Sequence, residues 1–172
     1  MRTIWFVVAT MALVASGGLA FAEEPGDPTA VKSEDGKYLD KEGNPTFKVA
    51  PDGTVDWYTY SGYRRYHSDC HVCHGPDGEG STYAPALKNS VKSMSYGEFL
   101  EATASGRKNV NTAQDNVMPA FGDNPNVACY MDDLYIYLRA RSVDAVGRAR
   151  PAKHEDKSPA AQRDEDSCIG KR

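Results

Sequence analysis

Apolar positions along this chain come in short, separated clusters, and the spacing inside each cluster predicts the element it forms. Residues 23–37 (EEPGDPTAVKSEDGK) are polar, carry two prolines and show no periodic apolar face, which predicts a mobile arm. In 38–55 (YLDKEGNPTFKVAPDGTV), short apolar pieces at Tyr38-Leu39 and Phe47-Val49 are separated by Gly-Asn-Pro and Pro-Asp-Gly turn signals. That pattern predicts a small two-stranded hairpin. Asp56 suits the N-cap of a helix over 57–67 that delivers the chain to Cys70. The stretch GPDGEGSTYAPALKNS is too rich in turn residues to be regular. Ser95 with Glu98 three positions on forms a capping-box pattern ahead of Phe99, Leu100 and Ala104, so a short helix should run to about Ser105 and stop at Gly106. GRKNVNTAQDNVMPAFGDNPN reads as loop, and from about Asn126 a longer helix places Tyr130, Leu134, Tyr137 and Leu138 on one face. Residues 143–172 are charged and rich in Pro and Ala. Three helices, long connections and loose ends make a poor core unless something large fills the middle.

The opening, MRTIWFVVATMALVASGGLAFAEEPG, has one early positive charge, an apolar run over 4–14, and Ala20-Phe21-Ala22 in the arrangement that signal peptidase cuts. It predicts a signal peptide over 1–22, cleaved before Glu23. The alternative is an uncleaved anchor, but the run is shorter than the ~20 residues that span a bilayer. The mature protein is therefore expected in the periplasm, with no stable membrane insertion. Cleavage removes one basic residue, Arg2, from 20, leaving 19 against 24 acids, a net charge of −5. A mildly acidic chain lacks the clustered basic surface that nucleic-acid binding needs.

The chemistry concentrates in SDCHVCHG, residues 68–75, where Cys70, Cys73 and His74 stand together. Three readings compete. Structural zinc needs four ligands; His67, His71 or His74 could join the cysteines, but no second Cys or His pair follows at finger-like spacing. A redox C-x-x-C normally opens a helix after a strand in a βαβ unit, whereas here a helix leads into the motif. The order C-x-x-C-H is the attachment signature of haem c. Two thiols one helical turn apart add to the porphyrin vinyl groups, and His74 is carried beneath the iron as proximal ligand.

At these spacings the sequence resembles the small class I cytochromes c. Gly62 and Tyr66, eight and four positions before Cys70, match the residues that let the first helix cross the last closely, and Tyr137-Leu138 match the aromatic-Leu pair at that crossing. Pro85 matches the proline whose carbonyl receives the proximal histidine's other ring N–H, and Leu87 stands where the family packs on the haem. The resemblance, over about 57–141, implies an all-α class I fold with three main helices around one covalent haem c; with the small N-terminal hairpin read above, the domain is expected to cover 38–142 between extended ends. For the distal ligand, Met94 follows His74 too soon and Met131 lies inside the last helix. Met118, opening MPAF in the loop before that helix, stands where the family has its methionine. The alternatives are an open sixth position or ligation by His67, His71 or His154. His/Met ligation favours ferrous iron and fills both axial sites, which implies an electron carrier and not an enzyme.

Over YTYSGYRRYHSDCHVCHGPDGEGSTYAPALKNSVKSMSYGEFLEATASGRKN and NVMPAFGDNPNVACYMDDLYIYLRAR the chain is more closely similar to the cytochrome c-L type that serves Xox-type methanol dehydrogenase. That similarity implies a monomer that takes single electrons from a PQQ-dependent methanol dehydrogenase and passes them to a further c-type cytochrome. The alternatives are a haem-based sensor or peroxidase-like enzyme, a carrier for another donor, or one serving a terminal oxidase. Cys129 and Cys168 remain after the haem takes its pair, and leftover thiols in an oxidising compartment usually join; a free Cys129 or an intermolecular bridge through Cys168 are the alternatives. Around the expected haem edge, Ala86, Leu87, Pro119 and Ala120, with Lys88, Arg107 and Lys108 at the periphery, are the docking candidates.

Overall fold

The computed structural model describes residues 26–110 and 115–170; the expected leader lies outside them. In chain order the elements are β1 (Lys32–Glu34), β2 (Lys37–Leu39), β3 (Pro45–Thr46), α1 (Trp57–Asp69), α2 (His71–His74), α3 (Leu87–Ser90), α4 (Tyr96–Ser105), β4 (Arg107–Val110), β5 (Asp115–Met118), α5 (Pro125–Ala128), α6 (Met131–Ser142) and α7 (Pro159–Ile169). The architecture is mainly helical. Its central feature is the packing of α1 on α6.

Local chemistry sets the helix starts. Asp56 caps α1: Oδ1 accepts from Thr59 N at 2.8 Å, while Oδ2 accepts from Lys48 N at 2.8 Å and Thr59 Oγ1 at 2.5 Å. One buried carboxylate thus satisfies the helix end and ties it to the preceding turn. Burial pushes that carboxyl's pKa up, against the hydrogen bonds that favour its charged form. Ser95 and Glu98 form the complete capping box at the start of α4, which ends at Gly106 with φ 73°.

The helix α6 is the spine of the core. Leu134, Ile136, Tyr137 and Leu138 are all at most 1% exposed. It meets β3, α1, α3 and α4, so even its polar residues are covered. Arg139 and Arg141 are buried, and each spends its guanidinium on backbone carbonyls that would otherwise lack donors. Arg139 donates to Val91 O at 3.1 Å and Gly26 O at 2.7 Å. Gly62 sets the helix separation: a Cβ there would lie 1.9 Å from Asp133 O and 2.7 Å from Tyr137 Cβ.

Five expectations are corrected. The turn-rich stretch over 75–90, read as irregular, ends in the one-turn helix α3. The hairpin is a three-stranded antiparallel sheet in the order β1-β2-β3, because the arm supplies β1 and Thr46 Oγ1 holds Pro28 O at 2.6 Å. The stretch read as loop after Gly106 contains the antiparallel pair β4-β5, with Arg107 opposite Met118; its residues lack apolar alternation, so backbone pairing alone reveals it. The last helix is divided into α5 and α6, with Asn124 capping Asn126 N at 3.1 Å ahead of Pro125. The charged tail is also structured. His154 bridges to Val55, and α7 buries Ala160 and Ala161, the latter beside Tyr58 and Ile136. Ser158 and Pro159 start α7 as cap and first residue. Cys129 and Cys168, 39 positions apart in the chain, are joined with Cα atoms 5.7 Å apart.

Two outcomes follow from the α1/α6 contact. Gly62→Ala meets main-chain atoms that cannot move independently and should cost ~1–3 kcal/mol, read as a lower guanidinium midpoint. Asp133, buried in that contact, has its pKa pushed up to about 7, chiefly by desolvation. Between the unfolded carboxyl's pKa and about 7 the folded state holds a proton that the unfolded state has released, so stability falls as pH rises through this window. The slope from this group is at most ~1.4 kcal/mol per pH unit. Comparing midpoints at acidic and neutral pH, Asp133→Asn should lack that component of the decline.

Candidate functional site

The site is built where α1 ends. Cys70 N bonds Tyr66 O, and the chain then makes one further short turn, α2, that carries His71 through His74. Cys70 and Cys73 are therefore one turn apart and neither is in a disulfide; Cys73 is exposed and Cys70 half-buried. Burial pushes the Cys70 thiol up to about 12, with the Asp69 and Cys73 charges adding to the shift. A redox C-x-x-C needs the reverse, a thiolate stabilised near neutrality. Zinc finds no closed ligand set either: among the described residues no three His, Cys, Asp or Glu side chains converge.

His74 is buried, and its Nδ1 lies 2.9 Å from Pro85 O. A carbonyl only accepts, so Nδ1 carries a proton, and Nε2 is the ring nitrogen left for a metal. The turn after it is held by a side chain that the sequence reading treated only as packing. The hydroxyl of Tyr66, fully buried, donates to Gly75 O at 2.6 Å and accepts from Gly78 N at 2.9 Å; His74 O lies at 3.2 Å. Arg141 completes the frame from α6, donating to Asp77 O at 3.1 Å, Val146 O at 2.7 Å and Glu79 at 2.8 Å. Nothing in the local sequence marks Arg141 for that role, whereas Tyr66 carries a signal in its hydroxyl. Gly75 and Gly80 are tightly apposed, a Cβ on Gly75 falling 2.1 Å from Gly80 O, and both have positive φ.

The other anticipated residues are distributed as follows. Leu87 opens α3 and packs, half-buried, on the core cluster, as do Cys70, Met94, Leu100 and Phe121. Two free thiols one turn apart, with an imidazole next to the second whose Nδ1 is held by a carbonyl, are a donor set that fits a covalently attached porphyrin. Met118 ends β5, half-buried, and its carbonyl packs against Gly106. Of the peripheral cations, Lys88 is engaged by Glu79 at 2.9 Å and Arg107 by Glu101 at 3.0 Å, while exposed Lys108 has no ion pair among the described residues. Lys88, followed by Arg141, holds the Glu79 carboxyl below its usual range.

Known proteins resemble this arrangement. The family model described as "Cytochrome c" matches residues 61–139. Cytochrome c-553I of Paracoccus denitrificans is 54% identical over 160 residues, which cover 93% of this chain and 71% of that protein. Cytochrome c-555 of Methylococcus capsulatus (strain ATCC 33009 / NCIMB 11132 / Bath) is 43% identical over 89 residues, 51% of this chain and 66% of that one. The crystal structure of c-type cytochrome XoxG from Methylobacterium extorquens AM1 superposes with a TM-score of 0.76 at 57% identity, over 87% of this chain and 94% of that chain.

Tyr66→Phe tests the turn. It keeps the ring but leaves buried Gly78 N and Gly75 O without a partner, which should cost ~1–3 kcal/mol. Denaturant unfolding of the mature protein measures it, and an unchanged midpoint would mean that the hydroxyl is dispensable.

Proposed function

This chain belongs to the cytochrome c family and carries one covalently bound haem c, and we propose that it serves a PQQ-dependent methanol dehydrogenase as one-electron acceptor. It then passes each electron to a further c-type cytochrome. The electron-carrier role itself goes with the family. The donor is inferred from the 57% identity to XoxG across nearly all of that chain, joined to the sequence resemblance to cytochromes of methanol metabolism. The single observation that carries the electron-transfer reading is His74, buried with Nδ1 on Pro85 O and Nε2 left for iron.

In this reading Cys70 and Cys73 hold the porphyrin through thioethers, and Leu87 packs on it. When bound, the haem supplies an iron that cycles between ferrous and ferric states. Pro85 raises the donor strength of His74 by accepting its N–H, and Met118 would supply a thioether as the second iron ligand, favouring the ferrous state. With His74 and Met118 both holding the iron, no position would remain for oxygen or peroxide, which disfavours the sensor and peroxidase readings. The expected leader and the Cys129–Cys168 bridge support a periplasmic location, since disulfides persist in oxidising compartments. No described helix is long and apolar enough to cross a membrane.

The test is the absorption spectrum and potential of the native protein and of Met118→Ala. The native ferric protein should show the weak far-red band of Met-to-iron ligation. The variant should lose it, and its potential should fall by on the order of 0.2 V, a fraction of the ~0.8 V that axial ligands command. Reduction by purified PQQ-dependent methanol dehydrogenase with methanol tests the donor. A native spectrum without the band, together with ready CO binding by the ferrous form, would overturn the Met118 assignment.

A further inference from the structure

The segment that carries Met118 into the loop before α5 is fastened to the end of α4. Phe121 N donates to Thr103 O at 3.1 Å and Gly122 N to Ala104 O at 3.0 Å. These are carbonyls that the last turn of a helix leaves without partners of its own, so the segment closes the end of α4 by backbone bonds alone. Phe121 also packs, half-buried, against the core cluster, and Met118 is paired with Arg107 where β5 ends. Residues 118–122 are therefore laid across the one residue that joins α4 to β4, which is Gly106.

Two observations show why only glycine fits at that junction. Gly106 has φ 73° and ψ 178°, a backbone region that is essentially closed to residues with a side chain. A Cβ there would also lie 2.5 Å from Met118 O and 2.8 Å from both Pro119 C and Ala120 N. All three are main-chain atoms, so no change of rotamer relieves the contact. The α4 side is the firmer of the two: Phe99, Ala102 and Thr103 are buried, and Gly106 N is bonded to Ala102 O at 3.0 Å. Pro119 and Ala120 are exposed, so the segment bearing Met118 is the side that gives way. Other glycines nearby differ. Gly97 has no atom within 4 Å of an added Cβ, and at Gly122 the nearest is Ala104 O at 3.2 Å.

We infer that Gly106 is a positioning residue for the second iron ligand: its missing side chain lets the main chain of 118–120 lie against the end of α4 and fixes where Met118 stands. The inference rests on the reading of Met118 as that ligand. A methyl group at position 106 is accommodated by displacing the same segment that has to stay in place for the thioether to remain bound. The cost of the contact is then relieved when the ligand lets go, and it weakens the hold of Met118 on iron by that amount.

The experiment compares the ferric holoprotein with Gly106→Ala, Gly122→Ala and Gly97→Ala. It reads the far-red band of Met-to-iron ligation and the affinity for added imidazole, which competes with a thioether for ferric iron. The native protein should show the band. Gly106→Ala should have a weaker band and bind imidazole at least ~5-fold more tightly, the ratio set by the lower end of an overpacking cost. Gly122→Ala, a milder lesion on the same segment, should move both readings in the same direction by less, and it decides the matter if Gly106→Ala does not fold. Gly97→Ala should match the native protein. A loss of global stability alone moves neither reading in the folded protein. A native spectrum without the band would overturn the Met118 reading and this inference with it. A native band with both readings unchanged in Gly106→Ala, or changed as much in Gly97→Ala, would overturn the role of Gly106 and leave Met118 in place.

Discussion

The placement of His74 depends on how closely α1 can approach α6. At Gly62 the main chain of one helix rests against the Asp133 carbonyl of the other, with no space for a methyl group between them. That approach places Tyr66 and Tyr137 within 5.6 Å of each other, ring to ring, and sends the Tyr66 hydroxyl into the turn after His74. The turn then returns the chain so that Pro85 reaches His74 Nδ1. A larger residue at position 62 would displace each member of this series in turn, since packed interiors transmit displacement with little compression.

The same contact explains why so many polar groups are buried in a small protein. A three-helix core lacks apolar area, so connecting segments are held by directed bonds. Arg139 binds the arm and the α3 segment, Arg141 the turn at Asp77 and the chain at Val146, and Asp56 the start of α1. Each is a charge removed from water and stabilises only because its hydrogen-bonding capacity is filled. The tail adds covalent closure through Cys129 and Cys168, which removes freedom from the unfolded chain by roughly 3–4 kcal/mol in the loop-entropy view. A carrier benefits from this rigidity, because an iron site that does not rearrange between oxidation states exchanges electrons with little reorganisation.

Much of this was legible without coordinates, because it depends on local chemistry. C-x-x-C-H names its own cofactor chemistry; Asp56 and the Ser95/Glu98 pair announce helix starts; Leu134, Tyr137 and Leu138 mark a buried face. Two leftover cysteines in a chain expected to be exported pointed to each other. Each of these signals is carried by residues a few positions apart or by a count.

Tertiary structure decided what depends on distant partners. The strand β1 forms in a polar arm because β2 and the Arg139 hydrogen bond at Gly26 hold it, and neither is visible in the arm's composition. The pairing of β4 with β5 is backbone to backbone in a stretch with no alternation to reveal it. The tail reads as solvated charge until α7 finds Tyr58 and Ile136 to cover Ala161. Arg141 and the Tyr66 hydroxyl became parts of the site only once folding brought carbonyls from elsewhere in the chain to meet them. Sequence alone determined the donor atoms and their order, because these are covalent facts. The three-dimensional fold decided which protons and carbonyls those donors face, because that requires long-range packing.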